Sequence, residues 1–103
     1  MAIKNVSEQD FEKATSEGLV VVDFYATWCG PCKMLTPLLR ELSDEREDAV
    51  FVEVDVDEAQ DTAKKFEVTS VPTVVFLKDG KEVSRFIGVR QKNEVSSMLD
   101  QHK

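Results

Sequence analysis

At 103 residues, 42% of them hydrophobic and 32% charged, the chain can bury a core without disulfides or a metal and reads as one domain over 1–103. A net charge of −7 has the wrong sign for a nucleic-acid or anionic-membrane binder. With no basic leader before a long apolar run and no bilayer-length apolar stretch, the expected setting is cytoplasmic and reducing, and the Asn5-Val6-Ser7 sequon reads as idle.

After an apolar start over Ala2 to Val6, Ser7 and Asp10 have the spacing of a capping box that opens a helix, with Phe11 and Ala14 inward and Gly18 as its stop. "LVVVDFYA", 19–26, is a continuous apolar run rich in β-branched residues, as in a central strand buried on both faces. From Pro31 the period becomes helical. Met34, Leu35, Leu38, Leu39 and Leu42 form one apolar stripe, with Pro37 expected to kink it. The acids Glu41, Asp44, Glu45, Glu47 and Asp48 read as a solvated helix face. "VFVEVDV", 50–56, alternates as a strand, and Asp57 with Gln60 suggests another helix start with Ala59, Ala63 and Phe66 on its buried side. "TVVFL", 73–77, and "EVSRFI", 82–87, flank "KDGK", whose Asp-Gly is a hairpin signal. A last helix from Asn93 to Gln101 would bury Val95, Met98 and Leu99. The order βαβαβαββα predicts an α/β fold with parallel strands covered by helices and an antiparallel hairpin at the end.

Both cysteines stand in "YATWCGPCK", 25–33. Three uses are open to such a pair: a structural staple, half of a metal site, or a reversible redox couple. A bridge across so short a loop stabilises little, because the loop-closure entropy it removes grows with loop length. A structural zinc site wants four ligands, and beyond the cysteines the one further ligand of the usual kind is His102, near a terminus expected to fray. Redox chemistry is therefore preferred. The layout places Cys29 where a buried strand ends and Cys32 in the first helical turn, with Pro31 in the opening turn where its missing N–H is no loss. Residues three apart on a helix share a face, so the sulfurs can meet. Cys29 lies at the positive end of the helix dipole, where a thiolate is favoured. Cys32 lies a turn deeper and is expected to be less exposed. Cys29 then attacks a substrate disulfide and Cys32 resolves the mixed disulfide.

"VVVDFYATWCGPCK", "VDVDE", "SVPTVVFLKDG" and "FIGV" follow one another along nearly the whole chain, and in this combination the sequence resembles the thioredoxin family. The resemblance implies a five-stranded mixed sheet flanked by four helices and a protein-disulfide reductase that works as a monomer without a bound cofactor. NADPH would serve it indirectly, through a thioredoxin reductase. Implied targets are disulfide proteins such as peroxiredoxins, methionine sulfoxide reductase and ribonucleotide reductase. Val71–Pro72 matches the family's cis-proline bond, and Trp28, Gly30, Pro31, Val71, Pro72, Gly88 and Val89 match its apolar docking surface. Asp57 matches an acid that accepts the tryptophan indole N–H. Asp23 is costly in a strand buried on both faces; it matches the family's buried aspartate, where desolvation raises the pKa and the carboxylate takes the proton of Cys32. Glu53 departs from the lysine of many bacterial members, which leaves Asp23 without its expected cation. A disulfide oxidase or isomerase usually replaces Pro31, and a glutaredoxin has a different motif interior. A scaffold role beside redox activity stays open.

Overall fold

A computed structural model describes residues 3–103. The elements run β1 (Lys4–Asn5), α1 (Phe11–Thr15), β2 (Leu19–Tyr25), α2 (Gly30–Glu45), β3 (Val50–Asp55), α3 (Gln60–Lys65), β4 (Thr73–Lys78), β5 (Lys81–Ile87) and α4 (Lys92–His102). The five strands form one mixed sheet in the order β1-β3-β2-β4-β5. β2 is its centre, parallel to β3 and antiparallel to β4, which is why "LVVVDFYA" carries no polar face: both sides are covered. Val21, Phe51, Val74 and Phe76 pack against Leu35, Leu39 and Leu42 of α2 and Val95 and Leu99 of α4. Val20, Val22, Phe24, Val52, Val54 and Val75 pack on the other side with Phe11 and Ala59, and Phe66 closes edge-on against Phe11.

Several expectations are corrected in detail. Ser7 and Asp10 do pair, Oγ to Oδ2 at 3.2 Å, with the Asp10 N–H donating back at 3.3 Å. The pair makes a turn, and α1 starts only at Phe11, with Asp10 as an N-cap that makes no side-chain cap bond. In α1 it is Thr15 that joins Phe11 in the interior, Ala14 being half-buried. "VFVEVDV" does not alternate by exposure. Glu53 and Asp55 are buried with their neighbours, and Val50 at the strand's start is exposed, because β3 lies between β1 and β2 with helices over both faces. α3 is capped at Ala59, not Asp57. α2 stops at Glu45, so Glu47 and Asp48 lie beyond it. Glu41 and Glu45 both receive Lys92 Nζ, at 2.7 and 2.6 Å, which pins α4 to α2. The Asp-Gly turn is as expected: Asp79 and Gly80 both have positive φ, 50° and 84°, as the hairpin turn requires. His102 lies within α4, where its carbonyl accepts Lys78 Nζ at 3.1 Å.

Candidate redox site

The site is built where β2 runs out and α2 begins. A turn in which the Cys29 N–H donates to the Ala26 carbonyl at 3.2 Å follows the end of β2 at Tyr25. Cys29 then has extended backbone, φ −86° and ψ 114°, and is the N-cap of α2, with Gly30, Pro31 and Cys32 as its first three helical residues. The first N–H groups of a helix have no partner within it, and here the Cys32 N–H donates to Cys29 Sγ at 3.1 Å. The sulfurs form a disulfide, with Cα atoms 5.3 Å apart. An expected difference in exposure is absent. Cys29 is 4% exposed and Cys32 3%, both packed with Ala26 against Tyr25, Val56 and Val71. The asymmetry lies in the backbone: Cys29 is the cap that receives a helix amide, and Cys32 supplies it.

Around the pair the expected residues fall at one end of the sheet. The Val71–Pro72 peptide is cis. Pro72 itself is buried; its carbonyl accepts the Gly88 N–H at 2.9 Å, and half-buried Val71 touches the cysteine cluster. Gly88 has φ +88° and open space where a Cβ would stand, so its backbone conformation, not crowding, calls for glycine. Trp28 is 70% exposed, and its indole Nε1 donates to Asp57 Oδ2 at 2.8 Å. Gly30, Pro31 and Val89 are exposed beside it. Met34, expected in the core, is 69% exposed. It lies one helical turn beyond Gly30 and Pro31 and carries their apolar face along α2.

Asp23 is 1% exposed, and neither of its carboxylate oxygens has a hydrogen-bond partner. Desolvation, with a smaller contribution from Glu53, raises its pKa from 3.8 to about 7, against an opposing pull from Arg40. The cause of the Glu53 effect is register. Asp23 and Glu53 are paired across β2 and β3, so their side chains share a face. The cation that the sequence lacks at position 53 is supplied by α2: Arg40 Nη2 lies 3.6 Å from Glu53 Oε2. Arg40 escaped the sequence reading, although two acids in register on a buried face call for a cation and Arg40 is the one arginine in α2.

Among the described residues no group of three or more His, Cys, Asp or Glu is placed to hold a metal ion, and no helix is long and apolar enough to cross a membrane. Comparison with known proteins matches the thioredoxin family model to residues 2–101. The chain belongs to the thioredoxin family. It is 46% identical to thioredoxin of Bacillus subtilis over 103 residues, 99% of each chain. Against thioredoxin-2 of Saccharomyces cerevisiae it is 51% identical over 86 residues, 84% of this chain and 83% of that one. Among solved structures, a mutant thioredoxin from Halobacterium salinarum NRC-1 superposes with a TM-score of 0.91 at 34% identity, covering 98% of this chain and 90% of that chain. As a thioredoxin-family member with its Cys29–Cys32 pair able to close, the chain is a thiol-disulfide oxidoreductase with protein-disulfide reductase activity.

Proposed function

We propose that Cys29 is the attacking thiol and Cys32 the resolving one, with Asp23 as the proton acceptor. The observation that carries the reading is Cys29 as N-cap of α2, its sulfur receiving the Cys32 N–H. A thiolate at that atom gains the helix dipole and the amide donor together. In the reduced protein the Cys29 thiolate attacks one sulfur of a substrate disulfide. The Cys29–substrate bond forms, the substrate S–S bond breaks, and the first substrate thiolate leaves and takes a proton. Cys32 then gives its proton to the Asp23 carboxylate and attacks Cys29 Sγ. This closes the Cys29–Cys32 disulfide and releases the second substrate thiol, two electrons having passed to the substrate. Asp23 suits this step because a desolvated carboxylate with a pKa of about 7 is matched to a proton transfer near neutral pH.

Trp28, Gly30, Pro31, Val71, Gly88 and Val89 receive the substrate, with buried Pro72 shaping the loop and Asp57 holding Trp28. The chain acts as a single-domain cytoplasmic monomer and carries no cofactor. Electrons reach it from NADPH through a thioredoxin reductase and pass to partners such as peroxiredoxins, methionine sulfoxide reductase and ribonucleotide reductase. A coupled assay tests the core of this: NADPH, a thioredoxin reductase, the protein and insulin, with NADPH loss followed by absorbance. Oxidation of NADPH that depends on this protein is expected; none above the background without it would overturn the proposal.

A further inference from the structure

The strand order sets the order of groups along the active end of the sheet. β3, β2 and β5 all end there and β4 begins there, because β2 is parallel to β3, antiparallel to β4, and β4 antiparallel to β5. In the order β3-β2-β4-β5 this edge presents Asp57 and Glu58 after β3, then Cys29 after β2, then Val71–Pro72 before β4, then Gly88 to Arg90 after β5. The β3 flank is acidic and exposed. At the β5 flank Arg90 folds back over its own loop: its guanidinium lies 5.3 Å from the centre of the Phe86 ring, and Nη1 donates to the Ile87 carbonyl at 3.1 Å and to the Val89 carbonyl at 3.4 Å. Its other N–H groups take no partner among the described residues. Lys92, two residues on, is already neutralised by Glu41 and Glu45.

We propose that Arg90 is a specificity-determining residue, a fixed cation on the β5 rim of the cysteines that favours disulfide-bearing segments with an acidic side chain near their cysteine. The ring contact and the two carbonyls hold the guanidinium in place, so a substrate carboxylate meets a donor already ordered. The same two carbonyls belong to exposed Ile87 and Val89, so the charge and the apolar ridge that contacts substrate move as one piece. On the opposite flank Asp57 and Glu58 repel the same acid. The polarity across the site therefore selects orientation as well as charge. The inference rests on the docking surface proposed above.

The test uses pre-reduced protein and a short cysteine peptide joined by a disulfide to a chromophoric thiol, with Glu, Gln or Lys placed two residues to either side of the cysteine. Release of the chromophore gives a rate constant for each peptide. At low salt the Glu peptide should react about threefold faster than the Lys peptide for one of the two placements, the scale of an exposed ion pair, and the ratio should shrink with added salt. Arg90→Gln should bring that ratio close to one, Arg90→Lys should keep most of it, and Lys33→Gln, which removes the cation beside Cys32, should leave it in place. Equal rates for Glu and Lys peptides in both placements, or a ratio unchanged in Arg90→Gln, would overturn the inference while leaving the reductase intact. Failure of every peptide to react would overturn the redox reading and this inference with it.

Discussion

As the cap of α2, Cys29 differs from Cys32 in what its sulfur receives, since both are almost fully covered in the disulfide. The helix terminus favours charge at Cys29 Sγ and offers it the Cys32 amide, so the two serine variants should behave differently. Cys32→Ser should accumulate a mixed disulfide with a protein substrate, visible as a higher-mass band on non-reducing gels, and Cys29→Ser should trap none. Equal trapping by both would place the nucleophile elsewhere. Trp28 gives a second prediction. A large ring 70% exposed is held by one hydrogen bond, to Asp57 at 2.8 Å. An indole N–H is a donor only, so Asp57→Ala should change the tryptophan fluorescence. It should also slow reduction of protein disulfides severalfold, with a smaller effect on small disulfides that do not use the docking surface. Unchanged fluorescence with unchanged protein reduction would remove Asp57 from the site.

Between elements, the join that matters to the chemistry is α2 against β3. Register puts Glu53 beside Asp23, and Arg40 comes from the helix to meet Glu53. Glu53 disfavours ionisation of Asp23 and Arg40 favours it, so removing each should move the rate profile in opposite directions. Glu53→Gln should shift the acid limb of the rate of substrate reduction to lower pH, and Arg40→Gln should shift it to higher pH. Each shift should be about a unit or less, the Arg40 shift being the smaller because its side chain is 60% exposed and screened by water. Profiles of the parent and both variants that coincide would uncouple the pair from Asp23. The sequence made part of this join legible. It showed Asp23 as a costly acid in a buried run, because composition within one segment is a local signal, and the resemblance to the thioredoxin family marked Glu53 as a departure. Arg40 was not legible, since which helix side chain reaches which strand depends on how α2 lies across the sheet. Met34 failed for a related reason. Helical period alone places it beside Leu35 and Leu38, but the buried face of α2 runs through Cys32, Leu35, Leu39 and Leu42, and Met34 lies about 100° round the helix from Leu35, on its open side. The alternation of "VFVEVDV" misled likewise, because burial on both faces erases the contrast that period two encodes.

For the whole molecule, the buried centre follows from one long apolar run and the antiparallel β4–β5 pair from one Asp-Gly hairpin, and that same centre contains the group that sets how stability varies with pH. Asp23 has a folded pKa of about 7 against an ordinary value of 3.8, so the native state binds its proton more tightly than the unfolded chain. Stability contributed by the protonated form is fully present below about pH 4, falls as pH rises through the interval up to about 7, and stays reduced above it. Each unit of pKa difference corresponds to about 1.4 kcal/mol, so the loss at alkaline pH is on the order of 4 kcal/mol. That is a large share of the 5–15 kcal/mol that holds a typical domain folded, by the usual rough range. Asp23→Asn keeps the shape and removes the charge, and Asp23→Ala removes the unpartnered oxygens as well. Urea melts of the disulfide form should therefore find both variants more stable than the parent near about pH 8, by a few kcal/mol, with most of the gain gone near about pH 3, where the parent's carboxyl is protonated in both states. The same substitutions remove the acceptor for the Cys32 proton. Substrate reduction should slow near neutral pH and recover at higher pH, where Cys32 ionises without help. Variants less stable than the parent at alkaline pH, and as fast as it near neutrality, would make Asp23 an ordinary paired strand residue. Gain in stability without loss of rate would leave its burial intact and remove its proposed part in proton transfer.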